Sequence, residues 1–230
     1  MQLKSRLFSA IGLAAALFAG GAGAATIDYG AFRLDYDSGT VFGSPSFSFS
    51  AGGGVTGFGW NVPTAVQVVS EGTPAEAVFE LPSFTLSANP GWTLSGPLTS
   101  FLGNLVFSEF KGSTSASVSG VVMLDGNAMS INPSLTRTVT NSSGNFSTGY
   151  YATASSQPVG AFSSFSFSGG SLTLSATSGP NSFASITAQP QNELKVGLVA
   201  NPVPEPASYA LMLAGLAVLG ALVQRRARKT

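Results

Sequence analysis

The 230-residue chain has no histidine and no cysteine, and only 9% of its residues are charged. Without imidazole, Ser-His-Asp triads and His-ligated zinc sites are excluded, and without thiols, cysteine nucleophiles are excluded as well. Disulfides and lipoprotein acylation also require cysteine, so neither can form here. Any enzymatic chemistry would therefore depend on carboxylates, and stability has to come from packing.

The few charges are separated by sign along the chain. Six of the ten basic residues lie within the first six or the last six positions, whereas all ten acidic residues lie between Asp28 and Glu205. From Ala25 to Glu205 there are four basic and ten acidic residues, a net charge of minus six. A surface of that sign repels phosphate backbones, so we expect no nucleic-acid partner.

The N-terminus has the pattern of a secretory signal peptide over residues 1–24. Two basic residues precede an apolar run at 7–19, and Ala22 and Ala24 are the small residues expected before cleavage in front of Ala25. We therefore predict an N-terminal signal helix, export through the Sec machinery and removal of the helix by signal peptidase. The apolar run is shorter than a membrane span, which makes a retained anchor the less favoured alternative.

The C-terminal segment 201–230 has three parts. A proline-rich stem with Pro-Glu-Pro at 204–206 leads into an uncharged stretch over 207–224, and a basic end follows at 225–230. Eighteen residues at 1.5 Å rise reach about 27 Å, close to the roughly 30 Å hydrocarbon core of a bilayer. The pattern predicts a helix with Pro206 at its first position and one transmembrane span over 207–224.

The basic end sets the expected orientation of that helix. Positively charged flanks resist translocation, so the cytoplasmic side is marked by Arg225, Arg226, Arg228 and Lys229. Everything before Pro204 is then outside the inner membrane. The leucines of the helix spread around its circumference, which disfavours an amphipathic helix lying on the membrane surface.

The tail resembles the PEP-CTERM sorting domain of Gram-negative bacteria. The match consists of the apolar helix, the terminal arginine cluster and the motif residues Val203, Pro204, Glu205 and Pro206. The resemblance covers the tail alone and implies recognition by an exosortase, an integral-membrane transpeptidase that cuts near the motif. It also implies a transient single-pass inner-membrane intermediate, followed by transfer to the cell surface or the extracellular space. A plain C-terminal anchor with a proline-rich stem is the alternative.

Residues 25–200 form the expected extracytoplasmic domain. Apolar residues alternate with small polar ones, as at Phe84/Leu86 and Phe165/Phe167, and helical periodicity is nearly absent. Turn sequences separate these segments at 52–54, 89–91, 125–127, 141–144 and 178–181. Asp125-Gly126 suits a type I′ hairpin. The pattern predicts an all-β fold, an antiparallel β-sandwich or jelly roll, with a solenoid and a disordered segment as alternatives.

Two segments of this domain are alike. Residues 46–53 and 164–170 both alternate serine with phenylalanine before a glycine pair. Two copies this far apart do not define a structural repeat, so we interpret them as two similar strands.

Candidate functional side chains in the domain are few. A glycosidase needs two carboxyls about 5 to 10 Å apart. The glutamates that could supply them are Glu71, Glu76, Glu80 and Glu109. No spacing selects a pair, and solvated surface carboxylates are the favoured interpretation. The Asp35-Tyr36-Asp37 segment lacks the further ligands of a calcium loop, so we expect neither a metal site nor a cofactor.

Aromatic side chains are candidates for contact with sugar rings. The candidates are Trp60, Trp92, Tyr150 and Tyr151. For the two tryptophans, burial against a sheet is the favoured alternative. The sequence as a whole predicts a non-enzymatic cell-surface or extracellular-matrix protein associated with exopolysaccharide or biofilm. A carbohydrate-binding or adhesion module is the main alternative, and a secreted glycan hydrolase is the least favoured.

Overall fold

The computed structural model of the chain describes residues 24–129, 136–189, 193–203 and 206–227. Within these ranges it contains thirteen strands and one α-helix. The strands are β1 (Ala24–Asp28), β2 (Phe32–Asp37), β3 (Phe47–Ser50), β4 (Val55–Asn61), β5 (Gln67–Glu71), β6 (Ala75–Glu80), β7 (Phe84–Ala88), β8 (Trp92–Leu124), β9 (Asn127–Met129), β10 (Thr136–Asn141), β11 (Ser147–Gln157), β12 (Ser164–Thr187) and β13 (Glu193–Pro202). The helix, α1, runs over Pro206–Ala227.

The strands form one antiparallel sheet built around the two longest strands, β8 and β12. Its main path runs β1-β2-β7-β12-β8-β13-β4-β3. One edge of β12 pairs with β8, and the other pairs in turn with β7, β6 and β5. One edge of β8 pairs with β13 and β12, and the other with β11, β10 and β9. The predicted all-β antiparallel fold is confirmed.

The long strands bend where their pairing is irregular. Between the pairs Ser178–Gly112 and Phe183–Phe110, four residues of β12 lie opposite Lys111 alone. Lys111 has a left-handed backbone, with φ of +50°. Such a bulge kinks a strand and increases its twist, which lets one strand contribute to two layers. The segment 178–181, predicted as a turn between strands, is therefore a bulge within β12.

The bends bring distant parts of the sheet face to face. Three strands separate β7 from β4 along the path, yet the rings of Phe84 and Phe58 lie 5.4 Å apart in an edge-to-face contact. Phe32 of β2 also approaches Phe58, at 6.3 Å. The two layers thus enclose an aromatic core, as a sandwich does. Each large apolar side chain buried there stabilises the fold by roughly 1.5–3 kcal/mol.

The phenylalanine side chains of the two similar segments, 46–53 and 164–170, lie on opposite faces of the sheet. Phe165 and Phe167 of β12 point into the core and are at most 9% exposed. Phe47 and Phe49 of β3 instead lie against the outer backbone of β4. A Cβ added at Gly59 would lie 2.5 Å from Phe47 Cζ and 2.6 Å from the backbone carbonyl oxygen of Leu194, so this position requires glycine. The likeness therefore reflects two similar strands with different roles.

The hairpin predicted at Asp125-Gly126 is confirmed. Both residues have positive φ, +46° and +78°, and they connect β8 directly to β9. Two left-handed residues in a two-residue loop give a type I′ turn. The Asp125 carboxylate also accepts the backbone N–H groups of Ser163 and Ser164, at 2.9 and 2.8 Å. The Ser163 hydroxyl, which donates to the same carboxylate oxygen at 2.8 Å, is the largest cause of the lowered pKa of Asp125, and the two backbone bonds lower this pKa further.

Helix α1 begins at Pro206, as predicted, and covers the predicted segment 207–224. Among the residues that the structure describes, no helix combines the length and the apolar character needed to cross a bilayer. The transmembrane assignment of 207–224 therefore stays a prediction. Residues 1–23, Pro204, Glu205 and the side chains of the basic end at 225–230 lie outside the described part of the chain.

Candidate functional site

The tail leaves the domain at the end of β13, beside the start of β8. Pro202 pairs with Trp92 and Asn201 with Thr93. One residue further on, the N–H of Val203 donates a hydrogen bond to the carbonyl oxygen of Gly91 at 2.7 Å. Because α1 begins at Pro206, the chain between the last strand hydrogen bond and the helix can extend about 11 Å at most. The sorting motif thus begins at a residue, Val203, that is hydrogen-bonded to the folded domain.

A turn at 89–91 holds this junction. Gly91 has φ of +80°, and the Trp92 N–H donates back to the Asn89 carbonyl at 3.0 Å, which closes a four-residue turn. The Asn89 side chain donates to Asp28 Oδ1 at 2.8 Å and to the Gly30 carbonyl at 3.0 Å. The Gly30 N–H and the Asn89 amide both lower the pKa of Asp28. The turn that binds Val203 is therefore itself anchored to the β1–β2 connection.

The structure shows part of each predicted processing site. Of the sorting motif, Val203 is 45% exposed and Pro206 begins α1, while Pro204 and Glu205 lie outside the described residues. Of the signal cleavage residues, Ala22 lies outside them, and Ala24 and Ala25 open β1 opposite Asp37 and Tyr36. Cleavage before Ala25 stays a prediction, and it would leave four of the five pairs of β1 intact.

The four aromatic residues that are candidates for contact with sugar rings differ in exposure. Trp60 is 1% exposed and packs against Phe58 and Phe84 at 5.4 and 5.6 Å, which is the burial favoured for it from sequence, so its ring is not available as a sugar contact. Trp92 is 37% exposed and Tyr150 is 72% exposed. Tyr151 pairs through its backbone with Leu105, and its side chain lies outside the described residues. Of the three rings that the structure describes, Trp60 lies in the core and therefore shares no surface with Trp92 or Tyr150.

Sequence reasoning missed a further exposed ring, that of Phe146. It is 60% exposed, lies before β11, and stacks on Phe183 of β12 with ring centroids 5.8 Å apart. Phe146, Thr148 and Tyr150 are every second residue of this segment, and all three are exposed, so they share one outward face. A hollow of about 510 Å³ adjoins Phe146, lined by the polar β10–β11 turn. A phenylalanine within the turn sequence Ser-Gly-Asn-Phe-Ser is a signal that could have pointed to this surface.

Asn141 organises that turn. Its amide donates to the carbonyl oxygens of Glu109 and Asn145, both at 2.9 Å. Its Oδ1 accepts the N–H of Ser143 at 2.9 Å and the hydroxyl of Ser143 at 2.7 Å. These bonds hold the backbone next to Phe146 in place. The Asn141 side chain is therefore committed to local structure.

The four glutamates do not form a common site. Glu109 is fully buried, whereas Glu71, Glu76 and Glu80 are exposed on β5 and β6. Glu76 and Glu80 face the same side of β6, but four residues of strand separate their backbones by about 13 Å. Among the described residues no cluster of three acidic side chains could hold a metal ion.

An apolar cavity lies between the two layers, next to Trp60. Its volume is about 80 Å³, and Leu98, Val122 and Phe165 contribute to its lining. Pockets that enclose small-molecule ligands usually measure about 300–1,000 Å³. We therefore interpret this cavity as an imperfection of core packing.

Comparison with known proteins bears on the tail. The PEP-CTERM protein-sorting motif matches residues 202–229, so the tail carries this motif, as its residues predict. No curated protein matches the chain. A solved structure, that of infectious bursal disease virus Gx strain, is similar at 13% identity and a TM-score of 0.18, over 81% of this chain and 64% of that one. This chain thus spans less than two thirds of that one, and a likeness so low supports no argument.

Proposed function

We propose that the chain is a non-enzymatic protein of the cell surface or extracellular matrix, released by exosortase cleavage of its tail and associated with exopolysaccharide or biofilm. The sorting motif at 202–229 is the observation that carries this proposal. The motif supports export and exosortase processing. The association with exopolysaccharide is inferred from the resemblance of the tail to the PEP-CTERM sorting domain.

The junction geometry suits such processing. The domain is complete at Val203, where its last strand hydrogen bond forms, and the described residues of β13 do not extend into the Pro-Glu-Pro motif. Cleavage near Glu205 would therefore leave every strand pair that the structure describes in the domain intact. The released region from Ala25 to Glu205 carries a net charge of minus six, which favours solubility away from anionic lipid.

Replacement of Pro204-Glu205-Pro206 by three alanines tests the proposal in a host with an exosortase. We expect the precursor to stay uncut and to remain in the membrane fraction. Pro158→Ala is the matched control, because this exposed proline lies outside the tail, just after β11. Unchanged maturation and surface yield of the triple variant would contradict the proposal.

Glycan binding is a second candidate function, favoured by the outward aromatic face that contains Phe146 and Tyr150. Exposed rings stack on sugars, and the adjacent turn supplies polar groups. We expect Phe146→Ala and Tyr150→Ala to reduce binding to host exopolysaccharide on a glycan array. Val121→Ala is the control, because this valine is also 53% exposed but offers no ring. Equal binding to charged and neutral glycans by all variants would count against this function.

A secreted glycan hydrolase is the least favoured function. Glu109 lies in the core, out of reach of a polymer in solution. The absence of new reducing ends after incubation of the protein with host exopolysaccharide would contradict this function.

A further inference from the structure

We propose that the end of the domain around Trp92 rests on the outer surface of the inner membrane for as long as the tail is uncut. This surface, which we call the junction end, comprises segments 51–56, 89–96 and 198–203. The partner that it fits is the headgroup layer of a lipid bilayer. The inference rests on the membrane-held precursor of the proposed function.

The length of the connection is the first argument. Val203 is bonded to Gly91, and α1 begins at Pro206. Three residues extend about 11 Å at most, and the headgroup layer on each side of a bilayer is about 5–8 Å thick. With the hydrocarbon entry at Ala207, the turn at 89–91 cannot stand clear of the membrane by more than a few ångströms. The domain has no long flexible stem on which to move away.

The side chains at the junction are the second argument. Trp92 is 37% exposed and pairs with Pro202, next to Val203, which is 45% exposed. Tyr209, in the first turn of α1, is 52% exposed. Tryptophan and tyrosine concentrate at membrane interfaces because an apolar ring carries a polar N–H or O–H group. One such ring therefore stands on each side of the cleavage motif.

The distribution of charge is the third argument. Segments 51–56, 89–96 and 198–203 contain no Asp, Glu, Lys or Arg. Register connects them, since Val199 of β13 pairs with Val55 on one side and with Ser95 on the other. Asp28 is the acidic neighbour of the turn, and its carboxylate is bonded to Asn89 and to the Gly30 N–H. The junction end can therefore approach headgroups without removing the hydration of a charge within its own segments.

Tryptophan fluorescence tests this contact directly, because the chain has only two tryptophans. The full-length precursor is reconstituted, without exosortase, into phosphatidylethanolamine and phosphatidylglycerol vesicles that contain a brominated phosphatidylcholine. Bromines placed near the glycerol end of the acyl chains should quench Trp92, and bromines near the chain ends should quench it less. Trp60 lies in the core at 1% exposure and is the internal reference.

The matched variants assign the signal. Trp92→Phe should lose the quenching that the wild-type precursor shows, while Trp60→Phe should keep it. Resistance to carbonate extraction reports insertion of the helix separately. An inserted precursor whose wild-type and Trp92→Phe forms are quenched equally would overturn the inference and leave the proposed function standing. A precursor that does not insert would overturn both, and quenching that requires added exosortase would assign the junction end to a protein partner instead.

Discussion

Glu109 should make the folded domain less stable as the pH rises above about 4.5. Its side chain is fully buried in β8, and Thr114 Oγ1 donates to Oε1 at 2.5 Å. Oε2 has no hydrogen-bond partner among the described residues. Its strand neighbour Ala184 is also fully buried and offers no polar atom from its side chain. Burial therefore raises the pKa of Glu109, and the Thr114 bond opposes this only in part.

The sign and size of the effect follow from proton linkage. In the unfolded chain Glu109 loses its proton near its ordinary pKa of 4.5, whereas the folded domain retains that proton to a higher pH. The native state then binds one more proton than the unfolded state, so the free energy of unfolding falls as the pH rises between the two pKa values. One proton corresponds to a slope of at most about 1.4 kcal/mol per pH unit.

Urea unfolding of the processed protein, followed by Trp60 fluorescence at a series of pH values above 4.5, measures this slope. Glu109→Gln cannot ionise and should flatten the dependence, while Glu76→Gln, at an exposed site, should not. Asp28 and Asp125 have lowered pKa values, so their contributions are lost only as the pH falls below about 3.8. Identical slopes for wild type and Glu109→Gln would show that Glu109 does not retain its proton in the folded domain.

Three further predictions concern packing and the hairpin, each measured by urea unfolding. Gly57→Ala should lower the free energy of unfolding by about 1–3 kcal/mol, because the added Cβ would lie 2.1 Å from a β13 carbonyl oxygen. Gly52→Ala is the control, because its Cβ meets no atom within 4 Å, and it should change the free energy of unfolding by less than about 0.5 kcal/mol. Equal effects of the two variants would contradict the close contact at Gly57. Trp60→Ala should cost about 3–5 kcal/mol, and a loss no larger than that of Trp92→Ala would mean that Trp60 is not in the core. Asp125→Ala should lower the free energy of unfolding by about 1 kcal/mol, a small effect because the Asp125 carboxylate is exposed to solvent. No change would show that its bonds to the 163–164 backbone are not formed in solution.

Local features of the fold were predictable because they depend on neighbouring residues. Alternation of side chains identified the strands around Phe84 and Phe165, and the positive φ tolerated by Asp125-Gly126 identified the hairpin. The extent of β8 and β12 was not predictable. The turn sequence at 178–181 does not end β12, because Phe183 resumes pairing with Phe110 of β8 beyond the bulge. That outcome depends on a strand distant in sequence.

The same limit applies to the candidate site. The sorting motif is contiguous and was found from sequence, whereas Trp60 and Trp92 look equivalent there because each follows a glycine. Gly59 lies within β4 beneath the ring of Phe47, while Gly91 lies in a turn with φ of +80°. Only the pairing of the strands determines that Trp60 is buried and Trp92 is exposed. The position of the Phe146 ring likewise depends on a residue distant in sequence, because the ring stacks on Phe183 of β12.

Mass spectrometry of both ends of the mature chain, isolated from the cell surface or matrix of its host, tests sorting by the tail most directly. The sorting proposal predicts a chain that begins near Ala25 and ends near Glu205, without the apolar segment 207–224. Surface material that still carries the basic residues at 225–229 would contradict it.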